Sequence, residues 1–174
     1  MKKIIVIGSG GAGKSTFSRR LGEILGLPVV HLDRLYWRPN WVEPTKQEWS
    51  ETVRSELARD SWIMDGNYRV TRDMRFQACD TIVFLDIPRL VCLYRVLKRS
   101  ILYHGKTRPD MADGCKEQID LAFFLWVWGY KNRGRVKILE ELKGLTDKKI
   151  VVLKSRQEIE EFLAKQKNNR ETIF

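Results

Sequence analysis

A glycine-rich loop near the start of the chain is the feature that most restricts its fold. Residues 4–7 are an unbroken β-branched run that leads directly into a G-x-x-x-x-G-K-S motif. The loop and its exit comprise Gly8, Ser9, Gly10, Gly11, Ala12, Gly13, Lys14, Ser15 and Thr16. A loop that wraps phosphates needs several inward backbone N–H groups, and glycine allows the required backbone conformations and close approach. We therefore expect a phosphate-binding loop between a buried strand and a helix.

The polar residues of the loop have distinct expected roles. Lys14 would open a helix whose N-terminus favours anions, and its ammonium would act as a catalytic cation at the terminal phosphates of a nucleotide. Ser15 would place its hydroxyl on Mg²⁺, so ATP and Mg²⁺ are the expected cofactors. The alternative is an ordinary glycine-rich turn. The strand before the motif and the apolar helical periodicity after it argue against that alternative.

Strands and helices alternate along the rest of the chain. Further strands are predicted at residues 28–33, 61–68, 81–86 and 149–153, with helical patterns between them. This alternation is typical of a parallel sheet covered by helices on both faces. The 174 residues are expected to form a single domain, 1–174, with a core of its own.

Charge and cysteine content narrow the class of protein. The net charge of +10 attracts polyanions, whether nucleotides or nucleic acid, without choosing between them. The three cysteines are odd in number and lack metal-ligand spacing, which indicates reduced thiols of a cytoplasmic protein. The longest apolar run, residues 121–130, is bracketed by charge and predicts a buried helix rather than a membrane anchor.

Two carboxylates follow predicted strands. Asp33 ends the second strand and Asp65 the third, where ligands of open α/β sheets bind. Asp33 is therefore a candidate catalytic and acceptor-binding residue, although a turn or helix cap explains it equally well. Asp65 is a candidate to hold Mg²⁺ through water. We expect His31 to be a packed or surface residue rather than a catalytic one.

Basic and aromatic residues surround these carboxylates. Arg69, Arg72 and Arg75 follow the third strand and are candidates for binding an anionic acceptor, with at least one of them an ordinary solvated side chain. The aromatic residues after Asp33 either offer ring faces to a ligand or form a small local core. Residues 100–114 are polar and basic without apolar periodicity, which is typical of a lid.

By these residues the chain resembles the adenylate-kinase-like branch of P-loop kinases, and within it the bacterial group named DNA topology modulation protein. The resemblance runs from Ile4 to about Leu163. Its most specific parts are residues 8–15, 62–68 and 84–88, Arg95 with Arg99, and residues 108–110.

The resemblance implies an architecture. It is a three-layer α/β/α fold around a five-stranded parallel sheet in the order 2-3-1-4-5, as in nucleoside monophosphate kinases. An acceptor-binding insertion would occupy residues 34–60, and a lid region residues 100–132. The lid lacks a four-cysteine zinc set, so no structural metal is expected.

The resemblance also implies roles for individual residues. Arg95 would lie against the adenine of ATP, and Arg99 would approach its phosphates. Arg133 or Arg135 would close on the transferred phosphoryl group as a catalytic residue. The pair Asp65-Gly66 matches an Asp-Gly pair that lies near Mg²⁺ in these kinases. Adenylate kinases continue that pair with Phe-Pro-Arg, and this chain departs from them, so recognition of AMP is not implied.

The predicted activity is transfer of the γ-phosphoryl group of Mg-ATP to a small acceptor by a monomer or weak dimer. Asp33 favours a hydroxyl acceptor, because a carboxylate can take its proton. The arginines after the third strand favour an anionic acceptor, and both options stay open. One alternative is a nucleic-acid-associated ATPase or regulator that contacts nucleic acid non-specifically. Another is a nucleotide-binding protein without turnover.

Overall fold

A five-stranded parallel sheet forms the centre of the protein in a computed structural model that describes residues 1–108 and 110–171. The strands are β1 (Lys3–Gly8), β2 (Val29–His31), β3 (Trp62–Asp65), β4 (Thr81–Leu85) and β5 (Lys149–Leu153). They lie in the order β2-β3-β1-β4-β5 with every adjacent pair parallel. This arrangement confirms the predicted fold and strand order.

Helices cover both faces of the sheet. In the described part of the chain they are α1 (Lys14–Leu25), α2 (Leu32–Tyr36), α3 (Lys46–Leu57), α4 (Arg72–Ala78), α5 (Arg89–Leu102), α6 (Leu121–Tyr130), α7 (Gly134–Lys143) and α8 (Arg156–Glu171). Single 3₁₀ turns at Pro39–Trp41 and Arg69–Thr71 precede α3 and α4. The connections that leave the carboxyl ends of the strands therefore gather at one edge of the sheet.

The hydrophobic core has two layers, one on each face of the sheet. Successive strand residues point to opposite faces, so Ile5 packs in one layer with Trp49 of α3 while Ile4 packs in the other with Leu21 of α1. Residues 4–7 are fully buried, as expected for a central strand that is covered on both sides. This buried strand fixes the base of the glycine-rich loop.

The apolar run at residues 121–130 forms the helix α6, but the helix is less buried than expected. Val127 and Tyr130 are buried, whereas Leu121 and Leu125 are 72% and 62% exposed. One side of α6 packs on α5 and on the glycine-rich loop, which leaves the opposite side uncovered. Within the described residues, no helix has the length and apolar character needed to cross a membrane.

Three helical segments were not predicted individually from the sequence. The arginine-rich stretch after β3 forms α4, and α7 follows α6. The last helix, α8, continues to Glu171, and residues 172–174 lie outside the described residues. Arg170 donates to the carbonyl oxygens of Glu23 and Ile24, which holds the end of α8 against α1.

Candidate functional site

The glycine-rich loop joins β1 to α1 in a conformation that depends on glycine. Gly11 and Gly13 have φ values of 75° and 95°, in the left-handed region that side chains with a Cβ rarely adopt. A Cβ on Gly11 would also lie 2.3 Å from the carbonyl oxygen of Cys92 in α5. The loop therefore curls tightly between the end of the central strand and α5.

The side chain of Lys14 folds back into the glycine-rich loop that precedes it. Its Nζ donates to the carbonyl oxygens of Gly8 and Ser9 at 3.1 and 2.9 Å. Burial lowers the pKa of Lys14, and the charges of Asp33 and Asp65 oppose that decrease. A nucleotide phosphate fits this position, because it would replace two neutral carbonyl partners by an anion that stabilises the buried ammonium.

The side chain of Asn67 holds the base of the loop. Its Oδ1 accepts from the Gly8 N–H at 3.1 Å, and its Nδ2 donates to the Gly8 carbonyl at 2.7 Å. Just before it in the chain, the N–H of Gly66 donates to the Val6 carbonyl at 3.2 Å. The side-chain amide of Asn67 therefore continues the hydrogen bonding between β1 and β3 as far as Gly8, where the loop begins.

His31 and Asp65 form a pair at the ends of neighbouring strands. They are register partners in β2 and β3, and His31 Nδ1 lies 2.9 Å from Asp65 Oδ2. Burial by itself lowers the pKa of His31, but the hydrogen bond and charge of Asp65 outweigh it, so the pKa is raised. Asp65 is only 3% exposed, and His31, which lines the adjoining cavity, lies beside it.

Asp33 is the first acidic residue of α2, and its carboxylate is held by an aromatic hydroxyl. Tyr68 Oη donates to Asp33 Oδ1 at 2.7 Å. Burial, followed by the charge of Asp33, raises the pKa of Tyr68, so the hydroxyl keeps its proton and remains a donor. The N-cap position of α2 belongs to His31 and not to Asp33. The structure therefore places Asp33 at the cavity, with a side-chain partner that fixes one oxygen.

A cavity of about 1300 Å³ lies above these residues. The predicted site residues that line it are Gly10, Gly11, Gly13, Lys14, Ser15, Thr16, Asp33, Arg69, Arg72, Arg95, Arg99 and Arg133. The predicted site residues outside its described lining are Gly8, Ser9, Ala12, Asp65, Arg75 and Arg135. Of the predicted residues, the chain thus brings the loop lysine, Asp33 and several arginines to one space, which further acidic residues such as Glu117 also line.

The three arginines after β3 have different surroundings. Arg69 is exposed and Arg72 is buried, and both line the cavity. Arg75 is fully buried away from it and donates to the carbonyl oxygens of Gly66, Tyr68 and Thr71. Burial lowers the pKa of Arg75 to about 9. The structure thus corrects the expectation for Arg75, whose donors support the turn after β3 and do not face an acceptor.

Arg95 and Arg99 of α5 contact the glycine-rich loop and the segment that follows α5, respectively. Arg95 Nη1 donates to the Ala12 carbonyl of the loop at 3.3 Å. Arg99 Nη2 lies 3.5 Å from Glu117 Oε1, and Arg108 Nε lies 2.6 Å from Glu117 Oε2. Burial, followed by the charge of Arg108, lowers the pKa of Arg99. Glu117 thus holds together two arginines that would otherwise repel one another beside the loop.

The two arginines after α6 point to different partners. Arg133 is the N-cap residue of α7 and lines the cavity. Arg135 Nε and Nη2 donate to the two carboxylate oxygens of Asp86 at 2.7 and 2.8 Å. Of the pair proposed from the sequence, the structure places Arg133 at the cavity, while Arg135 anchors α7 to the end of β4.

Aromatic residues and a contact between two distant segments of the chain border the cavity. Trp37 and Trp41 line it on the side of α2, and Trp126 lines it on the side of α6. Trp41 Nε1 donates to the Lys116 carbonyl at 3.0 Å, and the Asn40 N–H donates to the Gly114 carbonyl at 3.3 Å. Residues 38–41 and 114–116 therefore touch across one side of the cavity.

Comparison with solved structures identifies the fold. A gluconokinase from Sinorhizobium meliloti 1021 is 17% identical, with 98% of this chain and 96% of that chain covered and a TM-score of 0.55. Shikimate kinase from Acinetobacter baumannii in complex with shikimate is 14% identical, with coverages of 95% and 90% and a TM-score of 0.58. Shikimate kinase from Bacteroides thetaiotaomicron is 15% identical, with both coverages 97% and a TM-score of 0.55.

The chain has the fold of P-loop kinases. No protein-family model and no curated protein sequence matches it. At these identities the similarity establishes the P-loop kinase fold and leaves the chemistry of the site to be argued from its own residues.

Several residues of this P-loop kinase fold were not singled out as site residues from the sequence. A signal existed for His31, because it ends a strand beside the strand that ends at Asp65. A weaker one existed for Asn67, which directly follows Asp65-Gly66. Glu117 and Tyr130 offered none, because their positions depend on how the segment after α5 and the helix α6 pack over the loop.

Proposed function

We propose that the protein transfers the γ-phosphoryl group of Mg-ATP to a small acceptor. One observation carries the proposal: a single cavity joins the glycine-rich loop and Lys14 to the carboxylate of Asp33 and to cations on two sides. Pockets for one small ligand measure about 300–1,000 Å³. The volume of about 1300 Å³ therefore leaves room for an acceptor beside a nucleotide.

The donor half of the site consists of the loop and the α5 arginines. Loop N–H groups and Lys14 would hold the phosphates, with Arg95 beside the loop and Arg99 in the lining of the same cavity. Ser15 and, through water, Asp65 would hold Mg²⁺. When bound, this ion would neutralise charge on the phosphate oxygens.

The acceptor half centres on Asp33. In transfer to a hydroxyl, a bond forms between the acceptor oxygen and the γ-phosphorus while the bond from that phosphorus to the bridging oxygen breaks. ADP leaves, and the hydroxyl proton passes to Asp33. Tyr68 orients this carboxylate, and Arg133 would stabilise the charge of the transferred group. An anionic phosphate acceptor would not need such a base, so the placement of Asp33 supports the hydroxyl class.

ADP release from Mg-ATP, with and without a panel of small hydroxyl compounds and nucleoside monophosphates, tests the proposal. Stimulation by one compound is expected, and it would name the acceptor class. The matched control is Lys14→Ala, which should abolish turnover and keep the fold, because the hydrogen bonds of its ammonium to the described residues go to carbonyls of the loop. Normal turnover in that variant, or release that ignores the whole panel, would contradict the proposal.

The alternative drawn from the resemblance to DNA topology modulation proteins is a nucleic-acid-associated ATPase. The net charge of +10 is the observation that favours it. DNA binding that falls steeply with salt and ignores sequence would indicate only general electrostatic attraction. ADP release stimulated by DNA and by none of the small compounds would support the alternative.

A further inference from the structure

The outer surfaces of α5 and α6 carry large hydrophobic side chains that the described part of the chain leaves uncovered. Their exposed fractions range from 45% to 72%. At about 150–250 Å² for a large side chain that is fully exposed, together they present on the order of 800 Å². The largest apolar patch of a typical monomer measures about 300–600 Å², and larger ones mark interaction sites. The residues are Leu90, Tyr94, Leu97 and Ile101 of α5 and Leu121, Leu125 and Trp128 of α6.

The two helices lie side by side in opposite directions, so their exposed side chains form one surface. The guanidinium carbon of Arg89, at the start of α5, lies 4.1 Å from the ring centroid of Trp128, near the end of α6. Toward the opposite ends, the guanidinium carbon of Arg99 lies 5.6 Å from the ring centroid of Phe123. We call the surface formed by the seven residues the α5–α6 seam.

The spacing of the seam residues indicates a helical partner. Along α5 they follow one another at steps of four, three and four residues, and along α6 at steps of four and three. These are the steps between the a and d positions of a heptad, which form a narrow stripe that interlocks with side chains of another helix. A lipid surface would need only a broad apolar face, without this register.

A second copy of the chain fits the seam. In a symmetric dimer the same patch of both copies forms the interface, so two helices would pack on two helices as in a four-helix bundle. A stable interface of standard size takes about 800 Å² from each partner, which is what the seam presents. None of the seven side chains is charged at neutral pH, so their contact would bring no like charges together.

The seam faces away from the candidate functional site. The opposite sides of the two helices pack on the glycine-rich loop, where a Cβ on Gly11 would lie 2.9 Å from Val96 and a Cβ on Gly10 would lie 3.0 Å from Val127. None of the seven seam residues is in the described lining of the cavity. A partner on the seam would therefore support the helices that hold the loop and would not block the cavity.

We propose that the protein forms a symmetric homodimer through the α5–α6 seam. The proposal goes beyond the kinase function and does not depend on it. An inactive protein can still dimerise, and a monomer can still be a kinase.

Sedimentation velocity of the full chain tests the proposal. Interfaces of this size have dissociation constants from micromolar to picomolar, so a particle of twice the chain's mass is expected between about 1 and 100 µM protein. Each copy carries a net charge of +10. Raising NaCl from about 0.05 to 0.5 M should therefore strengthen the dimer, because salt screens the repulsion between the copies.

Two outcomes of these runs would overturn the proposal. One is a monomer throughout the concentration range; binding of that monomer to vesicles of phosphatidylserine and phosphatidylcholine would then make the seam a lipid-binding surface. The other is association that weakens as salt rises, because it would assign the contact to charged surfaces and not to the seam.

Two variants and a matched control locate the interface. Leu97→Glu and Leu125→Glu each place a charge within the seam and should raise the dissociation constant at least about 30-fold. Both side chains are exposed, at 45% and 62%, so the fold should be kept, as checked by circular dichroism. The control is Val136→Glu, at an exposed position of α7 outside the seam, which should dimerise like the wild type. Wild-type affinity in both seam variants, or an equal loss in the control, would overturn the proposal.

Discussion

Removing the amide of Asn67 should loosen the phosphate loop by a predictable amount. Asn67→Ala deletes two hydrogen bonds to Gly8, of 3.1 and 2.7 Å. The Gly8 carbonyl keeps Lys14 as a partner, whereas its N–H loses the one described here. Two ordinary hydrogen bonds contribute about 1–3 kcal/mol in total, so we expect a loss of about 2 kcal/mol in the free energy of unfolding.

This loss converts into a measurable change. For a chain of this size, about 2 kcal/mol corresponds to a fall of about 4–8 °C in melting temperature. Urea unfolding should show a lower midpoint with an unchanged slope, since the exposed area on unfolding is the same. ATP affinity should fall as well, because the first loop residue is no longer held.

Asn67→Asp sharpens the test. It keeps an oxygen that can accept from the Gly8 N–H, but it places its other carboxylate oxygen against the Gly8 carbonyl, to which it cannot donate, so it should lose at least as much stability as Asn67→Ala. It also adds a negative charge at the base of the phosphate site, so it should lose more ATP affinity. An Asn67→Ala protein with wild-type melting temperature and wild-type ATP affinity would refute the reasoning.

Three further predictions concern side chains that the structure assigns to different tasks. Asp33→Asn should leave ATP binding unchanged and lower the transfer rate about 10²–10⁴-fold, as measured by ADP release with the stimulating acceptor. A loss of thermal stability alone would show that Asp33 has a structural role. His31→Asn should cost more stability at about pH 6 than at about pH 9. The pKa of His31 in the folded protein is raised above 6.5. Its pairing with Asp65 therefore stabilises the fold fully below pH 6.5, and this stabilisation is lost as the pH rises through the raised pKa. Equal costs at both pH values in urea titrations would contradict this. Arg75→Met should cost about 2–4 kcal/mol in unfolding experiments by leaving carbonyls unpaired, whereas Arg69→Met should not, and equal stability of the two variants would show that Arg75 is not structural.

The fold was predictable because its signals are local. The β-branched run before the loop, the glycines within it and the alternation of strands and helices each depend on residues near one another in the chain. The order of the strands came from resemblance to known kinases, and the register that pairs His31 with Asp65 follows once β2 and β3 are neighbours. Long-range packing then determines which side chains meet, and local sequence patterns do not reveal this.

The candidate site was predictable only in part, and the arginines show why. Charge suggested one common role for Arg69, Arg72 and Arg75, but the side chains point in different directions once α4 forms as a helix. Arg75 turns inward to three carbonyl groups, which is a use of arginine that composition does not reveal. Tyr130 is part of an apolar run in the sequence, and only the packing of α7 over its ring brings this residue into the lining of the cavity.

The tryptophans around the cavity give the protein an optical reporter of its own. Trp37 and Trp41 border one side and Trp126 the other, while Trp49 and Trp62 are buried in the core. Because Trp41 also bonds to the Lys116 carbonyl, its emission should change when residues 38–41 and 114–116 separate. Replacing Trp41 or Trp126 with phenylalanine, one at a time, would then assign the fluorescence change of each ligand to one wall. The order in which donor and acceptor enter could be followed by stopped flow without attaching any label.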